Sequence, residues 1–197
     1  MRLGGRHADR LYRELLRAAD AYQRDREREA VRLLQPLRDE LPESGSVREL
    51  LGLALYRQGR FGAAAKELEA FVELTGDVDQ HPVLMDCYRA VRRYRRIDEL
   101  WIELGEASPS PELVTEGRIV LAGALADRGR VEEALRLLGR RAAGVKRARE
   151  HHLRLWYALG DLEERAGNLP RARALFEQVR SHEAGFADVA ERLAALG

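Results

Sequence analysis

LRLWYALGDLEERAGNLPRARALFEQV, running from Leu153 to Val179, is the stretch from which the rest of the chain is read. Leu155, Trp156, Leu159 and Leu162 recur at helical spacing and therefore share one face of a first helix. Gly160 lies in that face. A mid-helix glycine costs about 1 kcal/mol against alanine, so its place in the stripe points to another helix approaching the backbone there. Gly167-Asn168 supplies a turn, because both residues tolerate positive φ. Pro170 suits the first turn of a second helix, where its missing N–H is no loss. Ala172, Leu175, Phe176 and Val179 form the apolar face of that helix. The outcome is two antiparallel helices, each with one apolar side. Such a pair cannot bury both faces alone and needs neighbouring pairs.

Trp156, Leu159 and Gly160 stand as W-x-x-L-G, and Ala172 and Phe176 as A-x-x-x-F. In that order and spacing the stretch resembles a tetratricopeptide repeat. Weaker copies precede it. In RQGRFGAAAKEL, Arg57 to Leu68, Gly59 is the turn and Ala64 and Leu68 stand for Ala and Phe. Leu51-Gly52 precedes them, with Arg48 in the tryptophan place. RGRVEEALRLL, Arg128 to Leu138, reads the same way behind Leu121-Ala122. The first copy keeps Ala30, Leu34 and Pro42 but holds Glu14, Arg17 and Ala18 where Trp, Leu and Gly belong. Pro36 is expected to kink its second helix. The third copy opens at His81-Pro82 and has Leu84-Met85 for L-G and Tyr88 at the tyrosine place. Arg92 replaces its turn glycine, and Ile97 and Trp101 stand for Ala and Phe. Ser110-Pro111 suits the start of the helix after it. The small-residue place recurs at Ala18, Gly52, Met85, Ala122 and Gly160, with spacings of 34, 33, 37 and 38 residues. The first two match the 34-residue repeat within one residue, and the others carry short insertions.

The resemblance implies an all-α protein, a right-handed α-solenoid of helix-turn-helix repeats. The expected boundaries are a flexible N-terminal tail at 1–10, repeats at 11–44, 45–77, 78–114, 115–152 and 153–184, and a capping helix at 185–197. The last of these rests on the stripe Phe186, Val189, Ala190, Leu193 and Leu196.

Composition agrees with many helices burying leucine and alanine stripes: of 197 residues, 34% are charged and only 6% aromatic. The formal net charge of +1 forces no nucleic-acid partner. Lys66 and Lys146 are the only lysines, a bias that hints at a G+C-rich, bacterial source. Cys87 is the only cysteine, so an intramolecular disulfide is excluded. The longest run without a charge, Ile119 to Ala126, falls far short of the roughly 18 residues of a membrane span. Met1 to Asp20 shows no apolar signal-peptide core. A cytoplasmic protein without a membrane partner is the expectation.

Candidate chemistry is sparse. His151 and His152 are adjacent, so on a helix their rings diverge by about 100°. His81, Asp86 and Cys87 lack the spacing of known ligand sets. No metal and no cofactor is expected. No phosphate-cradling loop and no nucleophile elbow is present, and Cys87 reads as a core thiol. The chain reads as no enzyme. Two basic clusters stand out: Arg89, Arg92, Arg93, Arg95 and Arg96, and Arg140, Arg141, Lys146, Arg147, Arg149 and Arg154. They offer a grip on phosphates or on an acidic partner, against the reading of a solvated surface balanced by Asp and Glu. A nucleic-acid partner is the alternative and is disfavoured; a homo-oligomer stays open.

The resemblance further implies that the first helix of each repeat lines a concave groove holding a protein or peptide partner. By register the groove candidates are Tyr12, Tyr22, Tyr56, Arg57, Asp86, Arg89, Arg154, Tyr157 and Asp161. Tyrosine and arginine are the types that anchor interfaces. Chaperone-binding members of the family grip a partner's C-terminal carboxylates with a lysine and asparagine set. Here the only asparagine is Asn168, in a turn, and that partner class is disfavoured.

Overall fold

The computed structural model describes residues 5–107, 109–142, 144–145 and 147–197. Among them stand eleven α-helices and no strand. They are α1 (Gly5–Gln23), α2 (Glu27–Glu40), α3 (Gly45–Arg57), α4 (Phe61–Thr75), α5 (His81–Ala90), α6 (Tyr94–Ala107), α7 (Pro111–Asp127), α8 (Val131–Ala142), α9 (Glu150–Arg165), α10 (Leu169–His182) and α11 (Val189–Ala195). The chain forms two compact units, Met1–Leu100 and Trp101–Gly197, whose boundary falls inside α6.

Each pair closes through the same kind of turn. Gly59, Gly129 and Gly167 take positive φ of 71°, 78° and 81° between their helices. Asp25 and Arg92 hold the matching places with φ of 54° and 59°. Aspartate visits this region readily, whereas arginine does so at a cost of about 1–2 kcal/mol. The α5–α6 turn therefore keeps the left-handed geometry of the glycine turns without a glycine.

In the N-terminal unit α1 packs on α2, α3 on α4, α2 on α3 and α4 on α5, while the first helices α1, α3 and α5 also touch in sequence. The core is the apolar stripe read above: Leu34, Leu51 and Leu68 are fully buried. Gly52 lets the second helix close in, since a Cβ there would stand 2.7 Å from Leu68 Cδ2. One expectation is corrected. Residues 5–10 are not tail but the start of α1, anchored by the buried Leu11 and by Arg10, which reaches Glu40 of α2 at 2.7 Å. Residues 1–4 lie outside the described residues. The helix α2 includes Pro36 and runs on to Glu40. Proline removes one helical hydrogen bond, yet Leu34 and Leu37 on either side are buried and hold the helix in place.

In the C-terminal unit α7 packs on α8 and α9, α8 on α9, α9 on α10, and α10 on α11. Ser110 caps α7, its hydroxyl accepting the Leu113 N–H at 3.2 Å. Trp156 and Phe176 are buried to 2% and 0% exposure. Gly160 faces the Phe176 ring, as its place in the stripe requires. The Trp156 indole donates to the Ala142 carbonyl at 3.0 Å, tying α9 to the end of α8. α11 packs on the last pair and supplies the expected capping helix.

Candidate functional site

In the N-terminal unit the candidate side chains fall into two contact sets. The Arg57 guanidinium lies 3.9 Å from the centre of the Tyr22 ring. It also donates to the Tyr22 carbonyl at 3.2 Å and to Asp25 at 3.0 Å. Burial raises the Tyr22 phenol above its ordinary pKa, with Arg57 pulling the other way. In the second set the Tyr56 hydroxyl donates to Asp86 at 2.8 Å, and Arg89 lies 3.8 Å from the same carboxylate. Phe61 meets the Tyr56 ring edge-on at 5.7 Å. These pairs join neighbouring first helices: Tyr56 on α3 to Asp86 on α5, and Arg57 on α3 to the turn after α1.

Tyr12 belongs to neither set and is 63% exposed. One turn on, Leu16 is 50% exposed and edges a shallow cleft with Arg17, Asp20, Arg26 and Glu29. Sequence reasoning passed over Leu16. The available signal was an apolar pair at i and i+4, Tyr12 and Leu16, lying off the buried stripe through Leu11 and Ala18.

In the C-terminal unit Arg154 donates to Glu116 at 2.8 Å, linking α9 to α7. Tyr157 and Asp161 are held by the capping segment. The Tyr157 hydroxyl donates to Asp188 at 2.5 Å, and its ring packs 5.7 Å from Phe176 and 5.9 Å from Phe186. Burial, with Asp188 beside it, pushes the Tyr157 phenol up to about 12. Asp161 accepts from Arg192 at 2.8 Å, and Arg192 also donates to Glu164 at 3.0 Å. The groove register implied for these two residues thus meets an intramolecular occupant.

The arginine clusters are partly neutralised. Arg89 meets Asp86, Arg95 meets Glu99, and Arg96 meets Glu99 and Glu69. Arg149 meets Glu112 and Arg154 meets Glu116. Lys146 lies outside the described residues. Cys87 is fully buried, and burial pushes its thiol up to about 12, with Asp86 adding to the effect. His81 and His151 are buried. The His152 Nδ1 accepts the Arg149 N–H at 3.0 Å and closes the start of α9. Among the described residues, no three His, Cys, Asp or Glu side chains stand together as a metal-ligand set. No described helix is long and apolar enough to cross a membrane.

A profile of the tetratricopeptide repeat matches residues 15–78 and 119–188, more than half of the chain. No curated protein sequence matches it. Among solved structures, a thermophilic TPR protein of Thermus thermophilus superposes with a TM-score of 0.69 at 18% identity, covering 94% of this chain and 98% of that one. MamA from Desulfovibrio magneticus RS-1 gives 0.67 at 13% identity over 91% and 98%. PilF of Pseudomonas aeruginosa gives 0.64 at 12% identity over 96% and 89%. At such identities the likeness concerns the fold.

Proposed function

The chain belongs to the tetratricopeptide repeat family, and from that premise we propose that it is a non-catalytic adaptor holding a protein or peptide on the faces of its first helices. The observation that carries this reading lies in the N-terminal unit. There α1, α3 and α5 stand side by side. Outside their buried contacts they carry Tyr12, Leu16, Tyr22, Tyr56, Arg57, Asp86 and Arg89, none of them buried. Tyrosine offers apolar area with a polar tip at low entropic cost, and arginine offers planar donors. Stacked repeats present such side chains along an extended surface, which suits an elongated ligand. Arg154 adds a further first-helix charge in the C-terminal unit. Tyr157 and Asp161 already hold Asp188 and Arg192 as intramolecular partners.

The test is affinity capture from the native host with wild type and a Tyr12→Ala, Arg89→Ala double variant, followed by titration of the purified partner. Tyr12 is exposed enough that its loss leaves packing intact. The expected result is at least a tenfold loss of affinity with unchanged helicity. A partner that binds both proteins equally refutes the assignment of this face.

A further inference from the structure

The tryptophan place of the repeat, four residues before the small residue, is filled differently in each pair: Glu14, Arg48, His81, Arg118 and Trp156. Two of the five are arginines, and the protein treats them in opposite ways. Arg48 donates to Glu67 at 2.6 Å, and Arg38 of the preceding helix donates to the same carboxylate at 3.0 Å. Glu67 is only 7% exposed. One carboxylate thus sits between two guanidinium groups, and the charge at the slot is matched from within.

Arg118 occupies the same place on α7 and is half-buried. Its guanidinium lies 5.6 Å from the centre of the Trp101 ring on the preceding helix α6. Fifteen residues beyond the small residue, where the second pair has Glu67, the fourth pair has Leu137. Arg141 holds the place of the buried Phe71 and adds a second positive charge. Burial and then Arg141 lower the Arg118 pKa from the ordinary arginine value, and no acid contributes. Among the described residues, neither arginine has an ion pair or a hydrogen bond. Of the two, Arg118 is the one partly withdrawn from water, and Arg141 is exposed. A guanidinium withdrawn from water without a counter-ion is costly, and an arriving anion relieves the cost.

We propose that Arg118 and Arg141, backed by the Trp101 ring, form a carboxylate-binding slot for an acidic peptide segment of a partner. The incoming Glu or Asp side chain takes the part that Glu67 plays in the second pair. A planar carboxylate matches the fork of a guanidinium whose face rests against an aromatic ring, and the protein's own Arg38–Glu67–Arg48 arrangement is the precedent. The slot is built from residues of the C-terminal unit, whereas Tyr12 and Tyr56 belong to the N-terminal unit. It rests on the adaptor reading only in taking its ligand to be a peptide, so either can fail while the other stands.

The experiment titrates the full chain with a fluorescein-labelled hexaglutamate peptide, followed by polarisation at low and moderate salt, with inorganic phosphate as competitor. Wild type is expected to bind, with affinity falling as salt rises. R118L and R141L are each expected to lose at least tenfold, and R136Q, on a surface arginine paired with Glu132, to lose nothing. L137E places a carboxylate where the second pair has one. It is expected to abolish peptide binding and to raise the melting temperature, which keeps the test decisive if R118L fails to fold. No binding by wild type overturns the proposal. So does equal binding by R118L or R141L, a more weakly melting L137E that still binds, or displacement of the peptide by phosphate at lower concentration than by free glutamate peptide.

Discussion

Replacing Gly160 by alanine measures how closely α10 approaches α9. A Cβ at that position would stand 2.8 Å from Phe176 Cε1 and 3.1 Å from Cδ1 and Cζ. The ring has little room to retreat. It is fully buried, with Tyr157 at 5.7 Å and the Arg192 guanidinium at 5.0 Å. Overpacking of this kind costs about 1–3 kcal/mol. Alanine also gains about 1 kcal/mol of helix propensity over glycine, which would mask part of the loss. Gly139 in α8 supplies the reference, because a Cβ there meets nothing within 4 Å. G139A gains the propensity without the clash, so the difference between the two variants isolates packing. That difference is about 1–3 kcal/mol, or about 2–12 °C in melting midpoint for a chain of this size. Heating followed by circular dichroism in the helical band reads it directly. A G160A protein that melts at or above the G139A protein would refute the close approach.

Four further outcomes are expected. Arg92→Gly relieves a non-glycine residue at φ 59° and should raise stability by about 1 kcal/mol, seen as a higher melting midpoint. Glu67→Gln weakens two charge-assisted hydrogen bonds and should cost about 1–3 kcal/mol in a denaturation curve. Burial, then the His151 and Arg149 charges, lower the His152 pKa below the ordinary imidazole value. The unfolded chain then takes up the proton first, so this contribution to stability is complete above about pH 6.5 and is lost as pH falls from there through the lower folded value. His152→Gln keeps an acceptor for the Arg149 N–H and should flatten the dependence of melting on pH between about 7.5 and 5.5. Cys87, buried and with its thiol pushed up to about 12, should resist alkylation at neutral pH in the folded protein and react fully in denaturant.

Much of the fold was legible because each element carries a local reason for itself. Gly59, Gly129 and Gly167 mark turns that need positive φ, and Ala172 with Phe176 or Ala64 with Leu68 mark a face that a neighbour must cover. Asp25 and Arg92 show the limit, since neither residue announces the left-handed turn it occupies. The start of α1 at Gly5 was hidden because residues 5–10 carry no apolar stripe; a helix already anchored at Leu11 extends over them, with His7 and Arg10 reaching Glu40 of α2. The candidate face was legible only as a direction. Register puts Tyr157 and Asp161 on one side of α9, but nothing local says that Asp188 and Arg192, some thirty residues on, reach back to them. Arg118 could be read as a substitution at the tryptophan place. That its charge has no counter-ion depends on which residues α6 and α8 bring near, and only the fold says that.

The joints between neighbouring repeats differ from front to back within each unit. Behind, the second helix of one pair packs on the first helix of the next, α2 on α3, α4 on α5 and α8 on α9, and separating such packed faces exposes apolar area at about 25 cal/mol per Å². On the first-helix side they include Tyr56–Asp86, Arg57–Asp25 and Arg154–Glu116. Such part-exposed polar bonds are worth about 0–1 kcal/mol each, since water replaces what is broken. Each joint is therefore a hinge with a stiff back and a soft front. A ligand that inserts between first helices can spread them by exchanging one polar bond for another, while the spine of the array stays shut. The mechanical compliance of the protein lies on the side that carries its candidate contact residues.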